Sequence, residues 1–454
     1  MTDQVFIAPT FMCAATMAAA VDAGEFEQGR RALVIANNAA IPEVTPALHE
    51  HDWFKPIADR FDAIAYLNDY IAPHHPRTWR PRKSTMDDLA GRIRIELGIG
   101  PDPRVVSQSL LVRPALALAQ SFGSGPITAV SDGLMAYGRG RLPLATSLAD
   151  RLDSLLYLDL LPDVAPRLFA ELEPSLIRVG PGEFRAISGD VAAHVDAASS
   201  FGTAPDALIL GQYLADLELL TDDEEEYLHA EMVRAAHALG ASTVAFKPHP
   251  SSVATVSARM AQTARSLGLE FQTIHTRLPL EVLLETWQPQ HVISNFSTGL
   301  ATASGIYGLE AHTVGALDVA RALPTETNSN LVPLALCYAA YPRYERTDEG
   351  AGTLIAAPEA NLQGVIDALA ARLEGHPHPA IASGHTITDP GLVELMKPLT
   401  RPQRPPLRKR LRRRIVTTLP MSIRHYVRKV RRRTRRSVKT ARDIAAVMSL
   451  PIPK

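Results

Sequence analysis

Three short stretches of the chain carry residue types able to hold a phosphate and to move a proton beside it. "FKPHPSS" sets His249 between Pro248 and Pro250, directly after the apolar run "STVAF". Proline fixes its own φ and pushes the preceding residue into extended backbone, so the direction of this imidazole is well defined. Near a phosphate it can donate a proton or stand charged against it. "VISNFSTGL" (292–300) ends a strand at Ser294 or Asn295 and opens a helix around Ser297, Thr298 and Gly299. Free N–H groups, the positive dipole end and two hydroxyls make a seat for a phosphate. Gly299 leaves space for a ligand at the backbone. "AVSDGLMAY" (129–137) puts Asp132 at a strand end, where a carboxylate can serve as general base.

Each stretch also has a plainer reading. His249 can belong to a surface loop, Ser297 can cap its own helix, and Asp132-Gly133 can be a turn. His-Pro recurs in "PHHPR" (73–77) and "GHPHPA" (375–380), yet only His249 directly follows a strand. Ligands of open α/β sheets bind at the carboxyl ends of strands. Lys247 at the strand end reads as a solvated lysine. The acidic run "TDDEEE" (221–226) is read as a solvated helix first turn, with Thr221 and Glu224 forming a capping box, and not as a metal site. "HHPRTWRPRK" (74–83) reads as a basic solvent loop or as an acceptor contact. No phosphate-binding Walker sequence, dinucleotide fingerprint or serine nucleophile elbow is present.

The elements that must hold these residues follow a βαβ rhythm. "QVFIA" and "ALVIAN" are short apolar strands flanking the helical "CAATMAAAVDAG". "RVVSQSLLV" (104–112) and "PITAVSDG" (126–133) extend the series. "DALILGQ" (206–212) begins a second one, continued by "STVAFKP" and "HVISN" with helices between them. The chain therefore divides into two α/β halves, residues 1–195 and 196–397, followed by a Pro-rich linker and basic tail over 398–454. At 454 residues it is too long for one ordinary core.

Composition excludes several classes. Two cysteines, Cys13 and Cys337, cannot build a disulfide framework or a cysteine zinc site and fit a reducing compartment. No run of about 18 apolar residues appears, so no helix is expected to span a membrane. The first residues lack a basic segment, and Pro9 and Thr10 split their apolar run, which reads as strand, turn and helix and not as a signal peptide. The net charge of −1 conceals a strong asymmetry: residues 401–454 hold 19 Lys and Arg against one acid, Asp443, so the body before them is strongly acidic. Such a tail points to an anionic partner surface.

Taken in order, Asp132-Gly133, "KPHP" and "SNFSTGL" resemble the motifs of the bacterial polysialyltransferase-like sialyltransferases. The opening "VFIAPTFMCAATMAA" and "ALVIANN" are similar to that family's first strand, helix and strand. The resemblance covers most of residues 1–320. It implies a GT-B fold, two Rossmann-like domains across a cleft, and an inverting glycosyltransferase that uses CMP-sialic acid as donor substrate, with no metal and no further cofactor. By the same resemblance Asp132 would be the base on the acceptor hydroxyl and His249 would assist the leaving CMP. Lys247, Pro250, Ser297, Thr298 and Gly299 would hold the donor and its phosphate. One departure stands out, because the family's acidic pair is here Ser131-Asp132. Rival readings are a GT-B enzyme using another nucleotide sugar, such as a UDP donor, and a nucleotide-binding protein that has lost catalysis.

Residues 422–448 place apolar or small side chains at 423, 426, 427, 430, 434, 438, 441, 445 and 448, a helical stripe among basic residues. That suits a helix lying on an anionic membrane surface. Nucleic acid uses the same electrostatics, and a disordered tail is a third reading. A family acting on cell-surface glycans favours the membrane and a cytoplasmic location at its inner face. Acceptor, linkage, number of sugars added and oligomeric state are not legible.

Overall fold

A computed structural model describes residues 2–39, 42–140, 143–195, 203–249, 258–274, 276–323, 328–346, 352–373 and 387–396. Pro250, "GHPHPA", the linker and the basic tail lie outside the described residues. One compact unit comprises residues 1–38 and 46–400; a second comprises 39–45 and 401–454. In the second unit, Pro42–Val44 forms a single 3-10 turn.

The first lobe is a seven-stranded parallel sheet. In chain order its strands are β1 (Gln4–Ala8), β2 (Arg31–Ile35), β3 (Ala63–Tyr66), β4 (Arg104–Gln108), β5 (Ile127–Ser131), β6 (Leu152–Leu158) and β7 (Ser175–Val179), and they stand side by side as β3-β2-β1-β4-β5-β6-β7. β1 and β5 are buried along their whole length, as continuous apolar runs between two helical layers must be. Thr10 ends the turn after β1: its hydroxyl accepts from the Cys13 N–H at 3.2 Å and caps the helix Phe11–Asp22. β4 is shorter than "RVVSQSLLV" suggested. Ser109 adopts left-handed backbone at φ 61°, and the chain turns out of the sheet there.

The second lobe repeats the topology. β8 (Ala207–Leu210), β9 (Thr243–Lys247), β10 (Glu270–Thr273), β11 (His291–Ser294), β12 (Glu310–Val314), β13 (Arg343–Arg346) and β14 (Gly352–Ile355) stand as β10-β9-β8-β11-β12-β13-β14. Only the β13–β14 pair is antiparallel in this sheet. In both lobes the order reverses beside the first strand, between β1 and β4 and between β8 and β11. Those are the switch points at which such sheets open a crevice. Two parallel-dominated, helix-covered sheets in one chain are the GT-B architecture anticipated from the sequence.

The lobes pack directly on one another. The helix Pro181–Ala193 follows the first sheet and contacts both the Phe11–Asp22 helix and the second-lobe helix Leu280–Trp287. Arg185 pairs with Glu285 at 3.0 Å, and the Tyr307 hydroxyl donates to Ser188 Oγ at 2.9 Å. Backbones meet where Gly305 lies under the Leu160 carbonyl; a Cβ there would stand 2.4 Å from that oxygen. One continuous apolar core runs through both lobes, and a smaller one covers the other face of the first sheet.

Candidate active site

Three adjacent strands of the first lobe deliver Asp132 and its partners. Thr10 follows β1, Gln108 ends β4 and Asp132 follows β5. Gln108 Nε2 donates to Asp132 Oδ1, and Thr10 Oγ1 lies 3.5 Å from Asp132 Oδ2. Asp132 is 6 % exposed. Burial pushes its pKa up to about 6, and the hydrogen bonds hold it from rising further. It is therefore ionised near neutrality and close to the range in which a base accepts a proton. The simple Asp-Gly turn is not what forms, since Gly133 is extended at φ −142° and ψ 179°.

Three adjacent strands of the second lobe do the same. Tyr213 follows β8, Lys247 ends β9 with His249 just beyond it, and Ser297 and Thr298 follow β11. The Tyr213 ring lies against His249, centroids 4.3 Å apart. Burial first, then the charges of Lys247 and Arg77, lower the His249 pKa to about 4, so the ring is neutral at pH 7. Lys247 is buried rather than solvated. Its pKa is lowered by burial and raised by the nearby Glu281 carboxylate. Ser297 does cap its own helix: its Oγ accepts from the Gly299 N–H at 3.1 Å. Gly299 is small for a packing reason, because a Cβ there would stand 2.5 Å from Leu210 Cδ1 and 2.6 Å from Leu280 Cδ2.

Gly133, the residue after Asp132, meets Thr298 across the lobes. A Cβ on Gly133 would lie 3.2 Å from Thr298 Oγ1. Arg77, from the basic loop of the first lobe, makes its charge felt at the second lobe's His249. The basic residues of that loop, among them Arg77, Arg80 and Arg82, are exposed as a solvent loop should be, while Trp79 is buried and anchors it.

Glu281 was not singled out in the sequence. It lies in the first turn of the helix Leu280–Trp287, where an acid ordinarily complements the dipole. Here it is buried, and its pKa rises to about 7 through burial, opposed by Lys247 and reinforced by Asp132. The apolar neighbours Leu280, Val282 and Leu283 were the one signal that this position turns inward. The acidic run 221–226 caps its helix as expected, with Thr221 and Glu224 exchanging bonds. Glu225 departs from the solvated reading: it is partly buried and accepts from the N–H groups of Leu214 and Ala215.

Two doubly wound lobes, with a buried carboxylate on one and an imidazole, a cation and hydroxyls on the other, have the GT-B architecture, and the family to which the chain belongs makes it a glycosyltransferase. The family is more specific: a model of the alpha-2,8-polysialyltransferase family matches residues 4–316, and the chain belongs to that family. No curated protein matches it. Among solved structures it is similar to the GT-B domain of a sialyltransferase from Photobacterium damselae, at 12% identity and TM-score 0.39 over 74% of this chain and 97% of that one. It is also similar to a UDP-GlcNAc 2-epimerase from Methanocaldococcus jannaschii, at 11% identity and TM-score 0.40 over 69% and 83%. MurG from Acinetobacter baumannii gives 12% identity and TM-score 0.39 over 87% and 97%. No helix among the described residues is long and apolar enough to cross a membrane.

Proposed function

We propose that this glycosyltransferase moves sialic acid from CMP-sialic acid to a hydroxyl of a cell-surface glycan, by one displacement that inverts the anomeric centre. Asp132 takes the proton from the acceptor hydroxyl as its oxygen bonds to the sugar carbon. The bond from that carbon to the CMP phosphate oxygen breaks, and the electron pair leaves with the phosphate. His249 meets the leaving phosphate by donating its ring N–H, assisted by the hydroxyls of Ser297 and Thr298. Lys247 supplies positive charge to the anionic donor, with Glu281 as its counter-charge. CMP carries a single phosphate, so hydrogen bonds and one cation suffice for the charge that develops. The donor pocket includes Gly299 and, in the chain beyond His249, Pro250. The basic stretch 401–454 attaches the enzyme to the anionic inner face of the membrane.

The observation that carries this reading is the approach of Gly133, next to Asp132, to Thr298, with His249 at the end of β9, one strand removed from β11 in the same sheet. The family match supports the sugar class. A donor screen with mass detection tests it, alongside melting temperatures with CMP and UDP. Transfer from CMP-sialic acid and a melting point raised by CMP alone are expected. Stabilisation by UDP alone would move the enzyme to another donor class. Tight CMP binding without transfer from any CMP-sugar would make it a binding protein.

A further inference from the structure

The amino-terminal edge of the second sheet carries a side-chain cluster that the transfer chemistry does not use. His291 opens β11 and Glu310 opens β12, directly paired in register. His312 stands two residues further along β12, hence on the same face as Glu310. Glu310 Oε2 lies 3.0 Å from His291 Nδ1 and 3.7 Å from His312 Nε2. One ligand atom from each of the three residues lies within 4.8 Å of the others. Both rings are buried, at 4 % and 5 % exposure, whereas the Glu310 side chain is 62 % exposed. His291 Nδ1 and His312 Nε2 face only the one Glu310 carboxylate, and His291 Nε2 and His312 Nδ1 have no hydrogen-bond partner. Buried polar atoms are ordinarily satisfied, and two buried imidazoles sharing one exposed carboxylate are under-satisfied.

The donor set names the chemistry. Two imidazoles and a carboxylate suit zinc and its neighbours and are poorly matched to magnesium or calcium. Bonds of about 2.0–2.1 Å to a tetrahedral ion set ligand atoms about 3.3 Å apart. The two Glu310 contacts straddle that spacing, so modest side-chain rotation closes the set. The nearby Asp206 carboxylate is already engaged by the N–H groups of Ser242 and Thr243, at 2.8 and 2.9 Å. We propose that His291, Glu310 and His312 bind a zinc-class divalent transition-metal ion, with the fourth position open to water. The strands run from this edge toward Ser297 and Thr298, so the ion sits at the far end of the sheet from the transfer site and clasps β11 to β12.

The test uses the full chain, stripped by a chelator and titrated with zinc alone. Calorimetry should show one saturable equivalent, and the melting temperature should rise with zinc. Cobalt in place of zinc should give the visible spectrum of a tetrahedral site. The double variant His291→Gln/His312→Gln should lose this binding. Glu310→Gln, mostly exposed and therefore safe for folding, should weaken it by about tenfold or more. His237→Gln, on an exposed helix position, should leave it unchanged. Absence of a saturable equivalent in the wild-type chain, or equal affinity in Glu310→Gln, overturns the site. Every readout is independent of turnover, so the proposal stands or falls apart from the donor assignment.

Discussion

Thr298 of the second lobe holds its hydroxyl 3.2 Å from where a Cβ on Gly133 of the first lobe would stand. Asp132 precedes that glycine, and Ser297 precedes that threonine. The loops that follow β5 and β11 thus meet at one seam between the lobes. The proposed transfer requires its base and its leaving-group cradle to face one another across the sugar, and this seam is where the two loops do so.

Asp132→Asn should act with opposite signs on stability and on turnover. The folded state raises the Asp132 pKa from 3.8 to about 6. A raised acid contributes stability at low pH that is lost as pH rises through that interval; above about pH 6 the penalty is on the order of 3 kcal/mol. Asparagine removes the buried charge and keeps the carbonyl that accepts from Gln108. The variant should therefore melt higher than wild type near neutrality, with the gap closing toward the unfolded pKa. Turnover should fall about a hundredfold or more. A lower melting point together with wild-type turnover would remove Asp132 from the site.

Gln108→Leu removes the donor that stabilises the Asp132 carboxylate. The Asp132 pKa should climb beyond its present value, and the acidic limb of kcat/KM should move to higher pH while the plateau survives. A profile that keeps its limb and loses only its height would mean that Gln108 shapes the pocket without tuning the base.

Much of this arrangement was legible because strand ends are legible. β5 and β9 are short apolar runs that stop at Asp132 and at Lys247-Pro248, and the switch-point rule then says where the next side chains point. Gln108 and Thr10 were not legible as partners, since nothing local brings β1, β4 and β5 side by side. Glu281 was hidden by its position, because an acid in a first helical turn is explained by the dipole alone. For Lys247 only the solvated alternative fails: a lysine at a strand end is usually solvated, and the packing of the second lobe around it buries it instead. Gly299 drew attention as a ligand approach, while the structure shows a further reason for it to be small, the packing of Leu210 and Leu280.

His249 should change its protonation with the ligand. Without one, burial and the charges of Lys247 and Arg77 hold its pKa near 4. A depressed histidine contributes stability above its unfolded pKa of 6.5 that is lost as pH falls toward 4. A phosphate beside the ring adds negative charge and should raise the pKa. Imidazole NMR titration with and without CMP measures it directly. A resonance unmoved by saturating CMP would place the nucleotide elsewhere. His249→Ala should cost turnover about a hundredfold.

Gly299→Ala tests whether packing or ligand access keeps that position small. The added methyl meets Leu210 and Leu280 at 2.5 and 2.6 Å, and overpacking of this kind costs about 1–3 kcal/mol. The melting temperature should drop measurably even without donor. Unchanged stability with a raised KM for the donor would instead assign Gly299 to the ligand.

A chain ending at residue 396 should separate transfer from attachment. Residues 401–454 carry 19 basic side chains against one acid, and each basic group near an anionic leaflet contributes about 1 kcal/mol. The full chain should therefore bind vesicles rich in anionic lipid and leave them as salt shortens the screening length below about 10 Å. The apolar stripe of 422–448 is thin, mostly Val, Ala and Ile, so charge should dominate and salt should release nearly all of it. The shortened chain should lose vesicle binding and keep its turnover on a soluble acceptor. Preference of the full chain for nucleic acid over anionic vesicles at matched salt would reassign the tail's partner. Loss of turnover by the shortened, folded chain would make the tail part of the transfer machinery.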